Sequence, residues 1–267
     1  MNILITGARG YIASHLNQAL SAGGHNCAAA SVRGGVGGLT GLSGYDAVIH
    51  CAALVHSNDG DPDHYCKINT ELTAALAQKA KQEGVSRFIF MSTMAVYGID
   101  DSLCETAVIS GNTPVNPRTP YGKSKLAAKD MLKEMACEHF HVYILRLPMV
   151  YGAGAPGNYG RLCRLVKWAP VFPKVENRRS MISIENLQGY VASLLDTAGQ
   201  DEKKGAGYVS ILRPQDPSPV CTSDLAVSIA AGYGKRLYLS PLLGRIVLLF
   251  PIEPVRKMFG SLVYQDS

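Results

Sequence analysis

A tyrosine and a lysine four residues apart are the most chemically suggestive pair in this chain. Tyr121 and Lys125 have the i, i+4 spacing that places two side chains on one face of a helix. A phenol loses its proton near pH ~10 in water, and a cation within about 4–6 Å lowers the phenol pKa toward neutrality. Two solvated surface residues would give the same spacing, so the predicted proton-transfer role depends on the neighbouring motifs.

A glycine-containing turn near the N-terminus could bind phosphate. Residues 6–13 read TGARGYIA and follow a short apolar run at residues 2–6. Gly7 can adopt turn conformations that other residues rarely adopt, and Gly10 allows the backbone to approach a phosphate closely. At a junction between a strand and a helix, this pattern predicts a dinucleotide-binding site.

The residues after the second apolar run bear on the choice of dinucleotide. NAD-binding proteins usually carry an acidic residue there that binds the ribose hydroxyls, whereas this chain has Ser31-Val32-Arg33. Arg33, together with Arg9 in the glycine turn, would attract a 2′-phosphate. Both arginines could equally be solvated, but the pattern favours NADP over NAD.

These residues need a scaffold, and the first half of the chain alternates short apolar runs with helical patterns. We predict strands at residues 2–6, 25–32, 47–51, 87–92 and 142–147. Helices are expected at residues 11–22, 62–83 and 121–138. The alternation predicts an α/β fold with a doubly wound parallel sheet. Six glycines between residues 34 and 44 predict that one crossover helix is missing.

Composition excludes several classes of protein. The chain has 267 residues, 47% of them hydrophobic and 18% charged, which suffices for a large core. The net charge of +5 comes from scattered residues, so we expect no nucleic-acid partner. Seven widely spaced cysteines predict reduced thiols, and we assign no metal ligands. The N-terminus enters a strand pattern at once, so we expect no export signal and a cytoplasmic location.

The most apolar stretch of the C-terminal region covers residues 237–252. It is interrupted by Pro241, Arg245 and Pro251 and is too short to cross a bilayer as an unbroken helix. We therefore expect no transmembrane segment, and we expect this stretch to pack in the core.

Five motifs occur in the order typical of one family. They are the glycine turn, the segment His50-Cys51-Ala52-Ala53, Asn69, the segment MSTMAVYG at residues 91–98, and residues 121–125. Together they resemble the extended short-chain dehydrogenase/reductase family, and more narrowly its nucleotide-sugar epimerases and dehydratases, over about residues 1–215. The resemblance implies a Rossmann-type doubly wound parallel sheet with a small mixed C-terminal substrate-binding lobe.

The resemblance also implies roles for particular side chains. Tyr121 would transfer the proton, Lys125 would bind the nicotinamide ribose and tune the tyrosine, and Thr93 would hydrogen-bond the reacting sugar oxygen. These three residues form the expected catalytic set. On the substrate side, Thr93 is joined by Arg179, which would clamp a nucleotide diphosphate, and by Asn158, which would contact the substrate or cap its loop.

A larger set of residues is expected to contact the cofactor. They come from the glycine turn and from the ends of the later strands: Gly7, Arg9, Gly10, Tyr11, Ile12, Arg33, Cys51, Ala52, Ala53, Ser92, Tyr121, Lys125 and Pro148. Asn69 matches a helix asparagine of the family whose role is more often structural than catalytic.

Beyond Pro148 the pattern loosens into a glycine-rich loop followed by mixed elements. We expect a dinucleotide-binding Rossmann domain at residues 1–150, with residues 179–212 returning to its sheet region. Residues 151–178 and 213–267 would form a small substrate-binding lobe. Members of the resembling family often continue past the position of Ser267, so we expect a substrate lid that is reduced or supplied differently.

The resemblance implies an NAD(P)-dependent enzyme acting at C4 of a UDP-hexose or UDP-N-acetylhexosamine in polysaccharide precursor synthesis, as a 4-epimerase or a 4-ketoreductase. Dehydratases follow the threonine with Asp-Glu, whereas Thr93 is followed by Met94-Ala95, so elimination lacks its acid and base. One alternative is a non-catalytic NAD(P)-binding sensor or assembly protein. Another is an NADP-dependent reductase of a small carbonyl compound. A homodimer is common in the resembling family.

Overall fold

The computed structural model of the protein describes residues 1–39, 41–55, 61–201 and 208–265. By their contacts, residues divide between two compact units. The first unit comprises Met1–Gly98, Val115–Pro148 and Ile184–Pro214. The second comprises Ile99–Pro114, Met149–Ser183 and Gln215–Ser267. Residues 99–114 and 179–183, which the sequence placed with the sheet domain, therefore group with the second unit.

The first unit is built on a parallel sheet. With strands numbered along the whole chain, its members are β1 (Asn2–Thr6), β2 (Asn26–Ala30), β3 (Ala47–His50), β4 (Arg87–Thr93), β6 (His141–Leu147) and β10 (Val209–Leu212). Their order across the sheet is β10-β6-β4-β3-β1-β2, and every neighbouring pair is parallel. The predicted doubly wound α/β fold is confirmed.

The central strands are buried along their length, as expected of a parallel sheet covered on both faces. Every residue of β3 is buried, and β4 and β6 pair without interruption from Arg87 opposite His141 to Thr93 opposite Leu147. Strand β2 is shorter than predicted and ends at Ala30. The amide groups of Gly7 and Ala8 both donate to the Ala30 carbonyl, which ties the end of β2 to the glycine turn.

Helices α1 (Tyr11–Ala22), α2 (Pro62–Tyr65), α3 (Leu72–Gln82), α4 (Pro120–Met135) and α6 (Ile184–Asp201) belong to the first unit. The helix predicted at residues 62–83 is present but contains a π-helical turn, Cys66–Glu71, between α2 and α3. The glycine-rich connection forms only a short 3-10 turn, Val36–Gly38, in its described part, so the prediction of a missing crossover helix is confirmed there.

The second unit combines short strands with helices. Its strands are β5 (Ala107–Ile109), β7 (Met149–Tyr151), β8 (Val171–Pro173), β9 (Met181–Ser183), β11 (Tyr238–Ser240) and β12 (Leu262–Tyr264). They form the parallel pairs β5–β12, β7–β9 and β8–β11. Its helices are α5 (Gly157–Trp168), α7 (Thr222–Gly232), α8 (Pro241–Leu248) and α9 (Glu253–Phe259). Phe172 and Phe259 pack together in its core.

The prediction that residues 237–252 pack in the core is wrong for most of that stretch. Leu237 is buried, but Leu242, Leu249 and Phe250 are exposed. Helix α8 ends at Leu248, so the stretch is a short helix on the surface of the second unit. In the part of the chain that the structure describes, no helix has the length and apolar character needed to cross a bilayer.

A glycine after the 3-10 turn Met94–Tyr97 should be essential for stability. Gly98 has a φ of +64°, and a Cβ there would lie 1.8 Å from the Asn116 carbonyl oxygen. We expect Gly98→Ala to lower the free energy of unfolding by about 2 kcal/mol or more, as measured by urea denaturation. Gly189→Ala is the control, because its Cβ would enter open space in α6. This substitution should raise the free energy of unfolding by up to ~1 kcal/mol, since alanine favours the helix over glycine. Equal effects of the two substitutions would contradict the assigned strain.

Candidate active site

The start of helix α4 lies against the turn that follows strand β4. The Thr119 hydroxyl accepts a hydrogen bond from the Gly122 amide at 3.1 Å and caps the helix, and Pro120 occupies its first turn. A Cβ on Gly122 would lie 2.8 Å from the Ala95 carbonyl oxygen. Only glycine allows this approach, and the approach brings the residue before it, Tyr121, close to β4.

The Thr93 side chain lies next to the Tyr121 hydroxyl group, within reach of a hydrogen bond. Burial raises the pKa of Tyr121 to about 12, and the hydrogen bond from Thr93 opposes this rise only in part. The sequence predicted that Lys125 would lower this pKa, and that prediction is wrong, because burial raises it. The phenol therefore carries its proton at neutral pH.

Lys125 is fully buried, and its ammonium group has partners other than the phenol. Its Nζ donates to the Met91 carbonyl at 2.8 Å and lies 4.4 Å from the centre of the Phe90 ring. Burial lowers the pKa of Lys125 to about 7, with only a small opposing effect from Cys51. At neutral pH the group is thus divided between its charged and neutral forms.

Asn69 fixes helix α4 to the loop after β3. Its Oδ1 accepts from the Leu54 amide at 2.7 Å, and its Nδ2 donates to the Leu54 carbonyl at 2.8 Å and to the Ser124 hydroxyl at 3.0 Å. The neighbouring Thr70 hydroxyl donates to the Ser124 carbonyl at 2.9 Å. Both residues lie in the π-helical turn Cys66–Glu71. These contacts fit the structural role expected of Asn69.

A buried histidine connects the glycine turn to helix α3. The Thr73 hydroxyl donates to the Asn69 carbonyl at 2.7 Å, so the His50 Nε2 must donate to Thr73 across 2.9 Å. His50 Nδ1 then accepts from the Thr6 hydroxyl at 2.7 Å. Burial, followed by repulsion from Lys125, lowers the pKa of His50 to about 3. The imidazole is neutral and serves as a structural link.

The glycine turn has the shape of an anion-binding site. Gly7 has a φ of +87°, and a Cβ there would lie 2.8 Å from the Ala52 amide nitrogen. The Gly10 amide donates to the Gly7 carbonyl at 2.7 Å, which closes the turn. Gly10 is the N-cap of α1 and provides no side-chain cap, so the first amide groups of the helix can bind an anion.

A cleft of about 560 Å³ lies beside this turn. It is lined by Gly7, Ala8, Arg9, Gly10, Ser31, Val32, Arg33, Cys51, Ala52, Ala53, Leu54, His64, Ile68 and Leu72. Seven of the expected cofactor contacts are among these described lining residues, and no carboxylate is. His64, Ile68 and Leu72 were not foreseen, although their i, i+4, i+8 spacing on the predicted helix could have indicated a shared face.

The remaining expected cofactor contacts do not line this cleft. Tyr11 and Ile12 lie in the first turn of α1, Pro148 follows β6, and Ser92 lies near the end of β4. The hydroxyl groups of Tyr11 and Ser92 are buried without a hydrogen-bond partner among the described residues.

The second unit holds the expected substrate contacts Asn158 and Arg179. Both line a cavity of about 300 Å³ in that unit, together with Tyr159, Arg161 and Lys257, which sequence reasoning missed. Asn158 is the second residue of α5, and Arg161 follows it one helical turn later on the same face. This spacing could have indicated Arg161 from the sequence.

The guanidinium group of Arg179 already has acceptors within the second unit. It forms an ion pair with Asp101 at 3.0 Å and donates to the Lys257 carbonyl at 2.7 Å. Burial raises the pKa of the Asp101 carboxyl, although Arg179 opposes that rise. To bind a diphosphate as well, Arg179 would have to use guanidinium N–H groups that do not bond to Asp101 or to the Lys257 carbonyl.

Comparison with known proteins relates the chain to one family. The sequence model of the NAD dependent epimerase/dehydratase family matches residues 3–167. A UDP-glucose 4-epimerase from Vibrio cholerae is 28% identical over 286 residues, which cover 97% of this chain and 83% of the relative. A UDP-glucose 4-epimerase from Azospirillum brasilense is 32% identical over 184 residues, covering 60% of this chain and 52% of the relative.

A solved structure of MoeE5 in complex with UDP-glucose and NAD is also similar. The two chains are 23% identical with a TM-score of 0.70, and the match covers 100% of this chain and 89% of the other. At this identity the likeness establishes the fold alone. It agrees with the parallel sheet described above.

The buried lysine should leave a signature in the pH dependence of stability. Its pKa is about 7 in the folded chain and near 10.5 when unfolded, so between these values the unfolded chain binds more protons. The contribution of Lys125 to the free energy of unfolding therefore rises with pH between these two pKa values. Relative to Lys125→Met, the wild type should gain free energy of unfolding from pH 7 to pH 10, measured by urea denaturation.

Lys123→Met provides the control for this measurement, because Lys123 is exposed on the same helix. Its difference from the wild type should stay flat over the same pH range. A flat difference for Lys125→Met as well would show that Lys125 titrates normally in the folded chain.

Proposed function

This chain belongs to the NAD dependent epimerase/dehydratase family, and we propose that it interconverts the C4 configuration of a UDP-hexose or UDP-N-acetylhexosamine. The family match confirms the predicted extended short-chain dehydrogenase type of nicotinamide-dependent enzyme. The observation that carries the proposal is the close approach of Thr93 and Tyr121 on the same unit as the glycine-turn cleft. A place in polysaccharide precursor synthesis remains part of the proposal.

The residues of the cleft fit a dinucleotide. Gly7 and Gly10 would let a pyrophosphate approach the backbone, and the amide groups at the start of α1 would donate to it. Ala52 and Ala53 would border the cleft with small side chains. When bound, the nicotinamide supplies a hydride acceptor and donor.

Tyr121 would carry the proton in both directions of the reaction. Because its pKa is about 12, the phenol holds a proton at neutral pH and is ready to donate it to a carbonyl oxygen. For oxidation of the C4 hydroxyl group, Tyr121 must first release its proton to water, and the phenolate would then take the hydroxyl proton while the hydride leaves C4. Thr93 would orient the phenol and hydrogen-bond the same sugar oxygen. Lys125, half-charged near neutral pH, would bind a ribose hydroxyl.

On the substrate side, we propose that the second-unit cavity receives the nucleotide diphosphate. Arg161, Arg179 and Lys257 bring positive charge to its lining, and Asn158 offers an amide for hydrogen bonding. The UDP-glucose named for the two curated relatives supports a UDP-sugar. Comparison of turnover with UDP-glucose and with UDP-N-acetylglucosamine shows whether the sugar carries an N-acetyl group.

A 4-ketoreductase is the second candidate, because two arginines and no carboxylate line the described cleft. Arg9 and Arg33 would bind a 2′-phosphate, which favours NADP, the dinucleotide that reductases exchange at each turnover. An epimerase instead retains its dinucleotide. Purified protein that carries bound nicotinamide would support the epimerase.

Two alternatives from other classes have weaker support. A non-catalytic sensor or assembly protein has no need for Thr93, Tyr121 and Lys125 together, and this chain keeps all three. A reductase of small carbonyl compounds would have no phosphate groups for the arginines of the second-unit cavity to bind. Binding of UDP would count against both alternatives. The cytoplasmic location and the homodimer stay predictions.

Replacement of the catalytic phenol tests the proposed reaction. We expect Tyr121→Phe to lower turnover by ~10²–10⁴-fold, because the variant keeps the ring but cannot exchange a proton. Turnover is measured by NMR with UDP-glucose, with UDP-N-acetylglucosamine, and with a UDP-4-keto-6-deoxy sugar plus NADPH. Tyr208→Phe is the control, since Tyr208 is exposed in the first unit. A wild-type protein that converts no nucleotide sugar would refute the proposal.

Replacement of a cleft arginine tests the preference for NADP. We expect Arg33→Ala to weaken NADP binding by ~10-fold or more and to leave NAD binding nearly unchanged, because only NADP carries the 2′-phosphate. Isothermal titration calorimetry gives both affinities. Lys133→Ala, which removes an exposed cation from α4, should change neither value. Tighter binding of NAD than of NADP to the wild type would overturn the preference.

A further inference from the structure

The second unit carries an exposed apolar surface that the proposed catalytic function does not use. We define this apolar surface by Tyr238, Leu242, Ile246, Leu249, Phe250 and Ile252. Their exposed fractions are 66%, 68%, 42%, 75%, 59% and 58%. Scattered exposed leucines are ordinary, but six large apolar side chains within fifteen consecutive residues indicate an interaction site.

The way in which helix α8 packs explains why these side chains point outward. A Cβ on Gly244 would lie 2.0 Å from the Lys174 carbonyl oxygen, so the helix contacts the segment after β8 through its glycine side. At about 100° per residue, Leu242, Ile246 and Leu249 fall on the opposite side of the helix. The Ser240 hydroxyl accepts from the Leu243 amide at 3.3 Å and fixes the start of α8.

Aromatic side chains are also exposed on strand β11 and at the end of helix α5. Strand β11 pairs with β8 so that Tyr238 is opposite Val171, which is also exposed, and the Tyr238 amide donates to the Pro170 carbonyl at 3.2 Å. Trp168, two residues before Pro170, is 81% exposed. Tyrosine and tryptophan have an apolar body and a polar group, which suits the boundary between water and hydrocarbon.

The stretch of sequence that carries this apolar surface contains cations and no acid. Residues 225–252 contain Lys235, Arg236 and Arg245 and no Asp or Glu. Residues 162–174 likewise contain no acid, and their cations are Arg164, Lys167 and Lys174. The first acid after the stretch, Glu253, is paired with Lys257. Of these cations, Lys235 and Arg236 directly precede the apolar surface in sequence and Arg245 lies within it.

We propose that the apolar surface binds the face of a lipid bilayer that carries anionic headgroups. Leu242, Ile246 and Leu249 would enter the boundary between headgroups and acyl chains, with α8 lying in the plane of the membrane. Arg245 and its neighbouring cations would contact lipid phosphates. An eight-residue helix cannot span the bilayer, so the attachment is peripheral.

A second copy of the chain is a poorer occupant. In a two-fold symmetric dimer the same surface meets itself, so the cations beside one copy would face those beside the other. Like charges brought together at an interface oppose association, whereas anionic lipid would neutralise them. The proposal concerns attachment alone, and it holds or fails independently of the reaction assigned above.

The test uses the complete chain and phospholipid vesicles. Trp168 is the one tryptophan of the sequence, so its fluorescence reports on this unit directly. We expect the emission to shift to shorter wavelength, and the protein to sediment, with vesicles of phosphatidylcholine and phosphatidylglycerol. Binding to phosphatidylcholine alone should be weaker, and added salt should weaken binding to the anionic vesicles.

Two matched substitutions locate the binding surface. Ile246→Ser should weaken vesicle binding by about tenfold, because a large apolar side chain no longer leaves water. Ile211→Ser removes an isoleucine of nearly equal exposure, 41% against 42%, from an edge strand of the first unit and should leave binding unchanged. Circular dichroism establishes that both variants fold.

Several results would overturn the proposal. Failure of the wild type to sediment with anionic vesicles would do so, as would equal binding by the two isoleucine variants. Light scattering provides the remaining test. A dimer that Ile246→Ser converts to monomer would assign the apolar surface to a second copy of the chain.

Discussion

The close approach of helix α4 to the end of strand β4 is the constraint on which the chemistry of the first unit depends. Gly122 permits it, because any side chain there would meet the Ala95 carbonyl. The approach sets Tyr121 against Thr93 and removes Lys125 from water. A buried ammonium needs a partner, and the Met91 carbonyl and the Phe90 ring provide one on the same strand.

Burial of the side chains beside this lysine, more than the lysine itself, determines their charge state. His50 has its pKa lowered to about 3 and Cys51 has its pKa raised to about 12, so both are neutral near Lys125. Thr6, His50 and Thr73 then form neutral hydrogen bonds that tie the glycine turn to α3, while Asn69 ties that helix to α4. The cleft and the catalytic helix are thus held to one another by uncharged groups. A charged ligand would enter an environment where its field is weakly screened.

The second unit buries an ion pair and exposes apolar side chains. The ion pair of Arg179 with Asp101 is largely buried, and Asn177 connects Thr222 to the Gly260 carbonyl. Helix α8, by contrast, leaves its apolar side in water, although composition alone favoured burial of that side. The close contact at Gly244 explains the difference, because the side of the helix that carries this glycine is the one that packs.

The sequence by itself determined the order of strands and helices in the first half of the chain, the glycine turn and the spacing of Tyr121 and Lys125, because each depends on local periodicity or on a few adjacent residues. It foresaw the missing crossover helix for the same reason. Only the tertiary structure decided the pKa of Tyr121, the partners of Arg179 and the exposure of residues 237–252. Those properties depend on burial and on residues distant in sequence, such as Asp101 for Arg179 and Lys174 for Gly244. Such distances cannot be read from spacing, since they arise when separate elements pack.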